Sequence, residues 1–176
     1  MGSTGFPDTR LVVLRGPSGA GKSSTARGLR ERLGRGVALI EQDYLRRVVL
    51  REHDLPGAAN IDLISETARF ALDRGYSVIL EGIMSAGRYA SMLERLSQDH
   101  AGTTSFYVFD VPLPETFRRH ATRLKASDFS VDDMRRWYEW PDRLPFVDER
   151  VIAESSSLEA TLERILREAF GLPTIS

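Results

Sequence analysis

The chain of 176 residues contains no cysteine. That excludes a disulfide framework, thiol catalysis and any cysteine-ligated metal centre. Its three histidines, His53, His100 and His120, stand far apart without metal-ligand spacing and are expected at the surface or in packing. No apolar run approaches membrane-spanning length. The opening MGSTGFPDTR has no apolar signal core, and Phe6 falls where a myristoylation signal needs Ser or Thr. The cytoplasm is therefore the default expectation, with no membrane partner. An excess of one charge is missing too. With 24 basic and 25 acidic residues the formal net charge is -1, which gives bulk electrostatics no pull toward nucleic acid or a membrane surface. Asn60 is the sole asparagine, so the guanine-reading pattern N-K-x-D cannot exist. Lysine occurs only as Lys22 and Lys125 in an otherwise arginine-based set of cations.

What is present is ordinary for one globular domain, 41% hydrophobic and 28% charged residues. There is no internal repeat and no low-complexity segment. Strand-like runs alternate with helical patterns, which predicts an α/β domain with a mostly parallel sheet. The predicted strands are RLVVLRG, GVALIEQD, YSVILEG, TSFYVFDVP and, more weakly, VDERVIAE. Helices are predicted from Lys22 to Leu33, Tyr44 to Arg51, over IDLISETARFALDRG, and from Ala86 to Gln98. Further helices are predicted from Pro114 to Lys125, Val131 to Tyr138 and Leu158 to Phe170. In the third of these, Ile61, Ile64, Ala68 and Ala71 recur at core spacing, and Gly75 is the stop.

The lone lysine of the first half sits in Gly16-Pro17-Ser18-Gly19-Ala20-Gly21-Lys22-Ser23, which satisfies G-x-x-x-x-G-K-[ST] between a strand and a helix. Glycines let the backbone curl so that successive N–H groups face phosphate oxygens. The helix start adds the positive end of its dipole. The lysine reaches the β- and γ-phosphates, and Ser23 suits Mg²⁺, with Ser24 beside it in the first helical turn. A glycine-rich turn with a surface lysine would be the bland alternative. A match at random in a chain this long has a probability of roughly 1% at average composition.

The motif and element order resemble the P-loop kinases related to nucleoside monophosphate kinases. Within them the chain is most similar to small-molecule kinases such as the chloramphenicol phosphotransferase, zeta-toxin and gluconate kinase groups. The resemblance implies one three-layer P-loop domain over residues 1–176. Its five-stranded parallel sheet would have the order 2-3-1-4-5, helices on both faces and a helical lid over roughly 114–140. ATP and Mg²⁺ are the implied cofactors.

Ligands of open α/β sheets sit beyond the carboxyl ends of the strands. Asp43 follows VALIEQ there, suited to orient a hydroxyl and take its proton, and equally suited to N-cap the helix from Tyr44. The related kinases carry an aspartate at this place with an arginine soon after, which brings Arg46 and Arg47 forward as substrate contacts. Glu81 ends YSVIL, where the superfamily places an acidic residue serving Mg²⁺, more usually aspartate. Asp110 competes for that role and otherwise caps the turn at Val111-Pro112. Arg88 is a further candidate for the substrate. On the predicted helix after the fourth strand, Arg119 and Arg123 share a face. The resemblance makes them lid arginines for the phosphates, Arg123 taking part in catalysis, while Arg118 points elsewhere. Trp137, Tyr138 and Trp140 line a pocket or anchor a loop. The loop from Ala153 to Ser157 lies where related kinases hold adenine through backbone contacts.

The expected activity is an ATP-dependent phosphotransferase acting on a hydroxyl of a small molecule: a nucleoside, an antibiotic or a sugar derivative. Lys22, Asp43 and Arg123 are its expected catalytic residues. Two alternatives stay open: a polynucleotide 5′-hydroxyl kinase, and an NTPase or GTP-binding switch, for which Asp54-Leu55-Pro56-Gly57 matches D-x-x-G.

Overall fold

A computed structural model describes residues 2–112, 114 and 142–173. Five parallel strands form one sheet in the order β2-β3-β1-β4-β5. They are β1 Arg10–Arg15, β2 Val37–Glu41, β3 Ser77–Gly82, β4 Thr103–Asp110 and β5 Arg150–Ala153. The helices are α1 Lys22–Leu33, α2 Gln42–Tyr44, α3 Ala59–Leu72, α4 Ala86–Asp99 and α5 Leu158–Phe170. This is the expected α/β sheet, strand order included.

The alternation of side chains along β1 explains the three layers. Leu11 and Val13 face a cluster with Ile61, Ile64, Ala68 and Leu72 of α3 and Met92, Leu93 and Leu96 of α4. Val12 and Leu14 face the other way, onto Ala26 and Leu29 of α1 and Leu162, Ile165 and Leu166 of α5. A strand apolar on both faces needs helices on both sides. Each fully enclosed side chain such as Leu29 or Ile64 contributes roughly 2 kcal/mol through burial. The closing helix α5 is started by Ser157, whose side chain accepts from the Ala160 N–H at 3.1 Å.

The boundary after β2 differs from expectation. The strand ends at Glu41, and the chain turns helical at Gln42 rather than at Tyr44. Asp43 thus lies within the first helical turn, and the N-cap position belongs to Glu41, which makes no side-chain cap. After Tyr44 the helix widens into a π turn, Leu45–Val49. Arg51, at φ 53°, ends it in the left-handed region. The expected helix to Arg51 reads continuous in sequence because a π turn leaves no mark in an apolar pattern. The predicted helices of the 114–140 region fall outside the described residues.

Candidate active site

The site forms where β1, β3 and β2 end side by side. Leu14 of β1 is in register with Glu81 of β3, and Glu81 in turn with Glu41 of β2. Gly16 leaves β1 at φ 147°, and a Cβ there would stand 2.9 Å from both the Cβ and the carbonyl oxygen of Phe109 on β4. Only glycine fits that approach. Gly19 and Gly21 also take positive φ, and Gly21 forms the N-cap of α1 without any side-chain cap. The first turn of α1 carries no acidic residue, so its leading N–H groups are left for an anion. Lys22 is buried and curls over the loop, its Nζ donating to the Pro17 carbonyl at 2.7 Å.

Strand alternation puts Glu81 on the same face as Ile79, toward α1. There Ser23 Oγ donates to Glu81 Oε1 at 2.9 Å. Burial pushes the Glu81 carboxyl up; Lys22 and the Ser23 bond oppose this, while Glu41 and Asp43 reinforce it. Asp43 lies two residues beyond Glu41, the β2 partner of Glu81. Hydroxyl and carboxylate oxygens are hard donors, and Mg²⁺ takes one or two such protein ligands together with phosphate oxygens and water. Ser23 and Glu81 fit that ion. Among the described residues no group of three or more His, Cys, Asp or Glu side chains could hold a metal without such help. Asp110 lies at the end of β4, 3.8 Å from Arg143 Nη2. Ser24 is exposed on α1.

Asp43 Oδ1 accepts from Arg46 Nη2 at 2.9 Å and lies 3.4 Å from Arg47 Nε. The arginines stand three and four residues after the carboxylate, a spacing that shares one helix face; the chain widens into the π turn just after Asp43, and such turns recur at functional sites. Behind Asp43 stands a network with no motif in the sequence. Gln42 Oε1 accepts from the Ile83 N–H at 3.2 Å, and Gln42 Nε2 donates to Tyr89 Oη at 2.8 Å. Tyr89 Oη lies 2.6 Å from Asp54 Oδ1 and 2.8 Å from the Asn60 amide. A phenol has one proton, and the carboxylate of Asp54 takes it. It is Asn60 Oδ1 that faces Tyr89, and since the proton is taken, the amide could bond there only turned over, with its otherwise unpartnered Nδ2 donating. Burial first, and Asp54 next, hold the Tyr89 phenol far above its usual range. Arg88 Nη2 lies 3.6 Å from Asp54 Oδ2. The aspartate of the D-x-x-G match is thus committed to Tyr89 and Arg88.

A second group missed in the sequence closes β1. Arg15 is fully enclosed: its Nε donates to the Met84 carbonyl at 2.9 Å, Nη1 to Glu149 at 2.8 and 2.9 Å, and Nη2 to Asp142 at 2.6 Å. The signal was an arginine closing the run LVVLR, on the face of Leu11 and Val13. Arg118, Arg119, Arg123, Trp137, Tyr138 and Trp140 lie outside the described residues.

A model of the AAA domain family matches residues 11–141, most of the chain. The chain belongs to this AAA domain family. No curated protein matches it. Among solved structures, this AAA domain is similar to the APS kinase of Mycobacterium tuberculosis in complex with AMPPNP and APS. The identity is 19% and the TM-score 0.68, covering 91% of this chain and 96% of that one. It is similar also to a sugar kinase from Janibacter sp. (20%, TM-score 0.70, 90% and 92% covered) and a gluconokinase from Sinorhizobium meliloti (20%, TM-score 0.65, 95% and 96% covered). At these identities the likeness establishes the fold, that of P-loop kinases. Among the described residues no helix is long and apolar enough to cross a membrane.

Proposed function

We propose that this AAA domain is an ATP-dependent kinase that phosphorylates a hydroxyl group of a small molecule. One observation carries the reading. Ser23 of the P-loop meets Glu81 at 2.9 Å, Glu81 stands in register with Glu41 on the neighbouring strand, and Asp43 follows two residues beyond Glu41. A triphosphate grip and an acceptor-side base therefore share one end of the sheet, as in-line transfer requires. The kinases among the similar structures support the same class.

In this reading the loop Gly16 to Ser23 binds the nucleotide phosphates, and Lys22 neutralises the β- and γ-oxygens. Ser23 and Glu81 would hold Mg²⁺, which supplies charge neutralisation between the β- and γ-phosphates when bound. Asp43 orients the acceptor hydroxyl and takes its proton. Arg119 or Arg123, assigned through the family resemblance, adds positive charge at the transferring group, and Arg46, Arg47 and Arg88 bind the acceptor.

The test is ³¹P NMR of the purified protein with Mg·ATP, alone and with pooled nucleosides, aminoglycosides and sugar derivatives. A phosphoester signal growing with ADP in one pool supports the kinase. ADP and free phosphate with no acceptor dependence refute it in favour of an NTPase. Asp43→Asn is expected to lower the transfer rate by about 10²-fold or more; full activity would remove Asp43 as the base.

A further inference from the structure

From Glu41 to Ala59 only Gln42 is buried. The π turn contributes no buried residue, and Tyr44, Val48, Val49, Leu50 and Leu55 are all exposed. Leu45 packs against the core only in part. Apolar burial, which ordinarily fixes a segment in place, is thus nearly missing from the stretch that carries Asp43. A polar side chain anchors it instead. Gln42 stands directly before Asp43, its Oε1 accepting from the Ile83 N–H and its Nε2 donating to Tyr89 Oη at 2.8 Å. The same hydroxyl donates to Asp54 Oδ1 at 2.6 Å, so one fully enclosed phenol of α4 holds the beginning and the end of residues 42–54. Between those ends the chain closes on itself. The Leu50 N–H donates to the Leu45 carbonyl and the Glu52 N–H to the Arg46 carbonyl, each at 3.0 Å, and Arg46 Nη1 reaches the Glu52 carbonyl at 3.3 Å. Such local bonds keep the shape of the segment and not its place on the sheet. Arg88, 3.6 Å from Asp54, and the Asn60 N–H, 2.5 Å from the Glu52 carboxylate, act on the far end alone.

We propose that Tyr89 is a positioning residue for phosphoryl transfer: its hydroxyl fastens both ends of residues 42–54 and so holds the Asp43 carboxylate at the place where the acceptor hydroxyl meets it. The inference rests on the kinase reading, in which Asp43 is the base. Asp43 is 56% exposed, and its ion pairs are with Arg46 and Arg47 of the same segment. Those pairs travel with the segment and cannot fix it against the sheet. The bonds of Gln42 to Ile83 and Tyr89 can, because both partners belong to the rigid layer formed by β3 and α4. A phenol donates one hydrogen bond and accepts others, which lets a single oxygen serve a carboxylate and an amide together. Phenylalanine keeps the ring and leaves Gln42 Nε2 and Asp54 Oδ1 without that partner. A displacement of a catalytic group by about 1 Å costs on the order of 10²-fold in rate, so a small slip of the segment is enough to be read in kcat.

The experiment uses Tyr89→Phe, and Gln42→Met as a second cut of the same tie that leaves the bond from Tyr89 to Asp54. Amide hydrogen exchange of the nucleotide-free protein is read first by NMR. In Tyr89→Phe the Leu50 and Glu52 amides are expected to exchange at least about tenfold faster, with the amides of β1 and α1 unchanged. Faster exchange throughout the domain, or none in residues 42–54, overturns the inference. Transfer is then measured with Mg·ATP and whichever of the nucleoside, aminoglycoside or sugar pools yields a phosphoester. Each variant is expected to lower kcat by about tenfold or more while the affinity for ADP, read by calorimetry, stays that of the parent. In an Asp43→Asn background the same changes are expected to lower the rate by less than about twofold, because the base they position is gone. An equal loss in both backgrounds marks a merely structural role and overturns the inference, as does an unchanged kcat, and either result leaves the kinase reading standing. ATP turnover without a phosphoester from any pool overturns the kinase reading and the role of Tyr89 with it.

Discussion

Replacing Arg15 by methionine removes the cation shared by Glu149 and Asp142 while roughly keeping its volume. The Arg15 and Glu149 side chains are each 0% exposed and Asp142 is 20% exposed, so the loss falls mainly on Glu149, which would keep a charge in an enclosed site. Breaking a buried pair by deleting one partner costs about 3–5 kcal/mol. For a chain of this size that corresponds to a fall in Tm of about 10 °C. Glu149→Gln acts differently. It leaves Arg15 paired with Asp142 but places an NH₂ against either Arg15 Nη1 or the Leu144 N–H, which donates to Glu149 Oε2 at 2.9 Å. That single change should cost about 1–2 kcal/mol. In the Arg15→Met background, however, Glu149→Gln removes the uncompensated charge and should restore stability. The assay is urea unfolding of the parent, both single variants and the double variant. The reasoning is refuted if Arg15→Met unfolds within about 1 kcal/mol of the parent, or if Glu149→Gln destabilises both backgrounds equally.

Glu81→Gln separates stability from function. Burial works against the charged form of Glu81, so the nucleotide-free variant is expected to unfold at a higher midpoint than the parent, with phosphoryl transfer reduced. A lower midpoint would show that the Ser23 bond and Lys22 outweigh desolvation. Gly16→Ala would press a Cβ against Phe109 at a φ reserved for glycine, and is expected to cost about 2 kcal/mol and weaken nucleotide binding at least tenfold, read by calorimetry with ADP. His100 is buried, its ring bonded to Thr9 at 2.9 Å and Thr104 at 2.9 Å, and burial, with Arg10, lowers its pKa. The unfolded chain then binds the proton more readily than the folded one. Its share of stability is full above about pH 6.5 and is lost as pH falls through the lowered folded pKa. The stability difference between parent and His100→Gln, measured in urea from pH 7.5 to 5.5, should shrink on acidification, and a flat difference would reject the assignment.

The elements that were legible in the sequence are those whose reason is local. The helix Lys22–Leu33 follows a glycine turn, and Leu158–Phe170 has a serine cap and an apolar stripe; both run as expected. The P-loop is legible because a phosphate cradle needs glycine at fixed offsets from one lysine. The π turn after Asp43 was not, since widening a helix by one residue alters which side chains share a face without altering composition. Arg46 and Arg47 were singled out as substrate contacts, whereas their pairing with Asp43, which i,i+3 and i,i+4 spacing allows, went unread.

The remaining pieces were hidden for a different reason. Gln42, Asp54, Asn60 and Tyr89 come from four segments, and each is unremarkable alone: a polar residue after a strand, a turn aspartate, a helix asparagine, a tyrosine at core spacing. Their hydrogen bonds close only when β2 and β3 lie side by side and α3 and α4 pack on one face of the sheet. Gly82 permits this, because a Cβ there would collide with Gln42 at 2.6 Å. This network is therefore a property of sheet order rather than of any short pattern. A fold can keep its P-loop unchanged while such a network is rebuilt residue by residue, so in the proposed kinase the phosphate end carries the reaction class and the network beside Asp43 the choice of acceptor.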